Sequence, residues 1–325
     1  MNKRITYIDA IRVFSILCII LIHSTGFVNY FSGSTTAVTI LGDFGRFSVT
    51  LFIFLSGFSL ALKYKNGELK VKEFFISSFF KLIPAYLIWN ILYQVYDKGG
   101  LPLNISSLKD LILGSAAPHL YFVPVLIGLY VVFPFIWKFR DKILYFLTGA
   151  FIIQIISQIV RADALSAAVP IAKDARALFP LFLGYFVLGV FCAINFSKFE
   201  SVVKKYGLLF IFGVGLAFIL NIEYRSEVTY QLYYLTSIPV VFLLFRSVSD
   251  PVYSKFAQAG YYIYLMHYLV LEMLMKIQFP EFIPLSLLSI LLAIVTYGIC
   301  YVVSIGYMNT KDYVMRRKDI SAIQR

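Results

Sequence analysis

Arg12 and His23 stand eleven residues apart in a stretch that opens Ile8-Asp9-Ala10-Ile11-Arg12, runs apolar, and closes on His23-Ser24. On a helix this separation is about three full turns, so both side chains fall on one stripe, roughly 16 Å apart along the axis. They cannot touch directly. Asp9, three residues before Arg12, can pair with it. A charged group near one end of the helix and an imidazole deeper in it are expected to face one cavity. That arrangement suits a long ligand whose anionic part meets Arg12 and whose reactive end meets His23. An imidazole there suits proton transfer, because its ordinary pKa lies near working pH. The alternative is that Arg12 snorkels to an interface and His23 bonds a neighbouring helix.

Other polar residues in apolar surroundings are fewer. Ser56 and Gly57 lie in Phe52-Ile53-Phe54-Leu55-Ser56-Gly57-Phe58, where small residues let another backbone approach. His119 opens the run His119-Leu120-Tyr121-Phe122, and His267 lies in Tyr264-Leu265-Met266-His267-Tyr268 with Glu272 following. His267 and Glu272 are about 140° apart round a helix and do not share a face. A buried histidine can equally be structural. No metal site is expected, since no HExxH occurs and the three histidines sit at different depths. Cys18, Cys192 and Cys300 are far apart inside apolar runs and read as packing residues. There is no P-loop, GxGxxG or GxSxG pattern.

The elements that hold these residues are set by composition. Sixty per cent of the 325 residues are apolar and 14% are charged, with a mean hydropathy of +0.82. Soluble domains carry about 25% charged residues, and a soluble core could not hide this much apolar surface. The chain therefore reads as all-α, a polytopic transmembrane helical bundle forming one domain over 1–325. Spans of about 20 residues are expected at Tyr7–Asn29, Arg46–Lys63, Phe74–Tyr96, His119–Phe139, Ile143–Val160, Ala177–Phe196, Tyr206–Asn221, Tyr230–Phe245, Ala257–Lys276 and Ile283–Tyr307. The first run is long enough to stay as an anchor, and no cleavage site follows it. With the N-terminus in the cytoplasm, and Arg12 set aside, 20 Lys and Arg fall on the inner side and 8 on the outer side. That bias predicts both termini inside and 308–325 as a cytoplasmic tail. The net charge of +12 is then explained by topology and anionic lipid, not by nucleic acid.

The chain resembles acyltransferase family 3, the bacterial integral-membrane O-acyltransferases. The resemblance rests on Arg12 and His23 with ten residues between them, on the upstream Tyr7-Ile8-Asp9-Ala10-Ile11 run, and on Leu51-Phe52-Ile53-Phe54-Leu55-Ser56-Gly57-Phe58. It extends to His119-Leu120-Tyr121-Phe122, where the family often has Trp for Tyr121, and to Tyr261-Tyr262-Ile263-Tyr264-Leu265-Met266-His267. The family commonly carries Arg-x-x-Arg before a Pro in the third helix. Here Lys81 takes the second basic position before Pro84, and Ser78 stands at the first. Lys63, Lys65, Lys70 and Lys72 are the nearby cations. Many longer relatives add an esterase-like outer domain. A chain ending soon after the tenth helix is expected to complete transfer within the membrane or with a separate partner.

The resemblance implies an enzyme of the cell membrane. It would move an acyl group, with acetyl-CoA as co-substrate and no bound cofactor, to a hydroxyl of a surface glycan or lipid-linked sugar. His23 would act as general base, with Arg12 orienting the donor or the groups that support His23. Asp9, Ser56, Gly57, Lys81, His119, Tyr121 and His267 would bind donor or support the site. Expected partners are acyl-CoA, the hydroxyl acceptor, membrane lipid and glycan-assembly proteins. Two alternatives stay open. One is a transporter or flippase without chemistry, for which Phe179-Pro180 and Ile238-Pro239 would break helices. The other is an accessory protein that keeps the fold and has lost activity.

Overall fold

The computed structural model describes residues 5–99, 105–166 and 175–323. Lys3, Arg4, Lys173 and Arg325, which enter the charge count above, lie outside them. Among the described residues every regular element is a helix. We number them α1 (Thr6–Ser32), α2 (Thr36–Gly45), α3 (Phe47–Tyr64), α4 (Val71–Lys98), α5 (Ile105–Leu113), α6 (Phe122–Lys138), α7 (Ile143–Ser166), α8 (Leu183–Ile194), α9 (Phe196–Lys205), α10 (Gly207–Tyr224), α11 (Glu227–Phe245), α12 (Val252–Leu274) and α13 (Leu285–Ile323). Lipid leaves no water to satisfy backbone groups, so helices are the elements an apolar chain of this kind must form. Ile88, Ile152, Phe212 and Val302 are exposed on α4, α7, α10 and α13, as residues that meet hydrocarbon should be. The protein is a multi-pass membrane protein.

Each of the ten predicted segments falls on a helix. Among the described residues seven helical segments are long and apolar enough to cross a membrane, and eight if Phe179–Ile194 and Phe196–Lys205, bent by 98°, form one span. α6, with 17 residues, is shorter. α12 is apolar overall but carries Ser254, Lys255, Gln258, His267 and Glu272, which dilute its hydropathy. The helix predicted from His119 starts at Phe122, and His119–Tyr121 form the turn that leads into it. The segment read as a tail continues α13 as helix to Ile323; residues 324 and 325 lie outside the described residues. Pro239 sits inside a continuous α11, so it does not break that helix. Pro180 lies in a short 3-10 turn, Phe179–Phe182, ahead of α8.

The chain holds two compact units. One is Arg4–Ser48 with Leu244–Arg325, and the other holds Val49–Leu243. In the first, α1 and α12 run in the same direction. Asp9, Ile16 and His23, seven residues apart, meet Ser254, Gly260 and His267 in that order along both helices. The approach is close at the middle level, where a Cβ on Gly260 would stand 2.6 Å from Ile16 Cδ1. α2 packs back on α1, beginning behind Thr35, whose hydroxyl accepts the Val38 amide at 3.3 Å as an N-cap.

In the second unit α3 and α8 touch backbone to backbone. A Cβ on Gly57 would collide with the Phe186 carbonyl, and one on Gly189 with the Phe54 carbonyl. Gly57 is thus a packing glycine, one of the readings its sequence context allowed. At the end of α8, Lys65 donates to the carbonyls of Ala193 (3.3 Å) and Ile194 (3.0 Å). These are orphan acceptors of a helix C-terminus, where a cation is favoured, and the chain turns there into α9.

Replacing Gly189 by Val should cost about 3 kcal/mol, since backbone must move to admit the side chain. Gly215→Ala, where a Cβ meets open space, should be neutral or slightly stabilising. Thermal unfolding of the purified protein in detergent checks both.

Candidate active site

Asp9 is buried, and both of its oxygens are engaged. Oδ1 accepts from Arg12 Nη1 at 2.6 Å, one turn along α1, and Oδ2 accepts from Ser254 Oγ at 2.8 Å in the first turn of α12. The Arg12 side chain is 31% exposed and the Asp9 side chain 1%. The carboxylate therefore does two things. It holds the guanidinium in place, and it pins the start of α12 to the start of α1. The predicted pairing of Asp9 with Arg12 is present, and the stripe that carries it faces α12.

Higher on the same stripe the His23 ring lies 5.2 Å from the His267 ring, centroid to centroid. Tyr268 meets His23 edge-on at 5.4 Å and packs on Phe27 at 4.9 Å. His267 is fully buried, and its Nδ1 lies 2.6 Å from the Tyr264 carbonyl. A carbonyl only accepts, so Nδ1 carries the proton. The neutral ring then keeps Nε2 as its acceptor, the nitrogen suited to taking a proton. Beside this pair, Ser24 donates to the Ser289 carbonyl at 2.8 Å and ties α13 to α1. His23 and His267, 244 positions apart in sequence, are brought together because α1 and α12 run parallel.

One pair escaped the sequence reading. Asp43, buried near the end of α2, accepts from Arg46 Nε at 2.8 Å. Gly42 and Gly45 flank Asp43 and lie against Thr25 and Ile22 of α1, which sets the pair at the depth of His23. Its signal is a second Asp-x-x-Arg, the spacing of Asp9 and Arg12. It was hidden because Arg46 read as the outer boundary of a span.

The remaining predicted residues belong to the other unit. Ser56 Oγ and Tyr130 Oη are 2.9 Å apart. Lys81 is exposed on α4. His119 is buried with Tyr93 against its ring edge at 5.3 Å. Tyr121 stacks on Phe182 at 6.3 Å and carries the Arg176 guanidinium over its ring at 5.4 Å. Of the nearby lysines, Lys65 caps α8 as described and Lys70 pairs with Glu73 at 3.4 Å. This unit also holds buried amide chains that the sequence reading passed over. Gln94 donates to Asn90 Oδ1 at 2.7 Å, and Asn90 donates to the Asp110 carbonyl at 3.2 Å. Gln154 accepts the Gly184 amide at 2.9 Å, and the Tyr185 hydroxyl donates to Gln231. Apart from the Gln94–Asn90 bond within α4, these bonds join segments that lipid cannot drive together.

Fold and site together define a multi-pass membrane protein with two imidazoles held side by side by parallel helices and a buried carboxylate–guanidinium pair further along the same seam. Residues 5–305 match acyltransferase family 3, described as an acyltransferase domain. The chain belongs to that family and is an acyltransferase. No curated protein and no solved structure matches it.

Ser254→Ala removes one bond to a buried carboxylate and should cost about 2 kcal/mol. In a cycle with Asp9→Ala the double variant should lose clearly less than the sum of the singles, read by thermal unfolding in detergent.

Proposed function

We propose that this acyltransferase works in the cytoplasmic membrane and moves an acetyl group from acetyl-CoA to a hydroxyl of a cell-surface glycan or lipid-linked sugar. The observation that carries the reading is the His23–His267 pair at 5.2 Å within a chain of this family. His23 takes the proton of the acceptor hydroxyl as its oxygen attacks the thioester carbonyl. The C–S bond breaks, and the proton passes on to the leaving sulfur. His267, with Nδ1–H committed to Tyr264, supports His23 and offers a second proton acceptor.

Arg12, fixed by Asp9, supplies charge for the anionic part of the donor, since guanidinium and phosphate pair well. Arg46, set at the depth of His23 by Gly42 and Gly45, supplies positive charge where oxyanion character develops. For Ser56, Lys81, His119 and Tyr121 the family membership supports a role in donor binding, while Gly57 serves packing. The parallel course of α1 and α12 fits α12 as the ninth of ten alternating spans, with both termini inside. The acceptor side of the reaction joins this protein to glycan-assembly proteins.

His23→Ala should lower transfer by about 10²–10⁴-fold while membrane insertion stays intact. The assay is thiol release from acetyl-CoA by purified protein in lipid nanodiscs, with mass spectrometry of surface glycans from cells with and without the protein. Loss of one acetyl mass from the glycan identifies donor and acceptor together. Full-rate transfer by His23→Ala sinks the assignment of His23.

A further inference from the structure

An apolar groove of about 340 Å³ runs along the membrane face of α6, α7 and α8. Its floor and walls include Phe135, Tyr145, Phe146, Gly149, Ile153 and Val187. From Tyr145 to Ile153 it follows α7 for about 12 Å. Gly149 makes much of the space, since a Cβ there would meet nothing within 4 Å. A helix interior gains from almost any residue other than glycine, so the missing side chain is costly to helix stability and leaves room for something else.

The end of the groove is marked chemically. Phe135, Phe139 and Phe146 cluster there, with centroids 5.1 to 6.0 Å apart. Tyr145, which is exposed, lines the groove beside Phe146. Tyrosine gathers where hydrocarbon meets headgroups. The turn between α6 and α7 carries Lys138, Arg140 and Lys142, all exposed, against one acid, Asp141. Lys138 lies over the Phe139 ring at 5.6 Å, beside Phe135 and Phe146 of the groove, and Arg140 lies over the buried Trp137 ring at 5.2 Å in the same turn. An apolar slot closed by an interfacial cluster of cations is complementary to one molecule, a lipid with an anionic head. A zwitterionic lipid fits the slot and gains nothing from the cations.

We propose that this groove is a binding site for an anionic phospholipid, with one acyl chain along α7 over Gly149 and the phosphate headgroup at Lys138, Arg140 and Lys142. Each cation near the surface supplies about a fivefold preference for an anionic head. The site is separate from the histidine pair and does not depend on the reading of the reaction.

The test is native mass spectrometry of the full-length protein taken from nanodiscs made of equal phosphatidylglycerol and phosphatidylcholine. The wild type should retain phosphatidylglycerol over phosphatidylcholine by at least tenfold. Gly149→Leu should release both lipids while circular dichroism stays unchanged. The triple variant Lys138→Gln, Arg140→Gln, Lys142→Gln should keep one lipid with no preference between the two heads. A wild type that carries both lipids equally overturns the proposal. So does a Gly149→Leu protein that keeps its lipid, or a dimer mass that Gly149→Leu abolishes, which would make a second copy the occupant.

Discussion

Burying a carboxylate away from water is costly unless it is paired and hydrogen-bonded. Asp9 is answered by Arg12 from its own helix and by Ser254 from α12. Together they lock the register of two helices that lie far apart in the chain. With that register set and both helices running the same way, Ile16 meets Gly260 and His23 meets His267 two turns at a time. The chemistry proposed for the imidazole pair is therefore a consequence of an electrostatic contact roughly 20 Å below it.

The unit built round this seam joins Arg4–Ser48 to Leu244–Arg325. Closure of that kind brings α1 against α12 and α13, which lie far along the chain. Hydrophobic attraction cannot drive it, because lipid is as apolar as the side chains. Polar bonds and close small-residue contacts remain as the means. Ser24 on the Ser289 carbonyl and Gly260 against Ile16 are the visible examples. In the other unit Gly57, Gly189, the buried amides of Asn90, Gln94 and Gln154, and the half-buried Gln231 serve the same end.

Helix positions were legible in the sequence because apolar runs bounded by charge have few other interpretations in a membrane. The short helices α2, α5 and α9 were not, being ten residues or fewer and below the length at which hydropathy speaks. Asp9 with Arg12 could be read from spacing alone, since i and i+3 meet on any helix. Asp43 with Arg46 has the same spacing and was missed because Arg46 looked like a loop residue. The meeting of His23 with His267 was beyond any local rule. It depends on which helices are neighbours and on their direction, and neither is encoded in periodicity. The turn at His119–Tyr121 differs from the helix start read there because hydropathy continues through a turn that stays buried.

The account stands on α1 and α12 being parallel and in the stated register. Cys18, Cys192 and Cys300 can be replaced, and cysteine pairs placed at 23 with 267 and at 23 with 254, then treated with a short thiol cross-linker in native membranes. The account predicts a cross-link for the first pair and none for the second. A cross-link between 23 and 254, with none between 23 and 267, would contradict it.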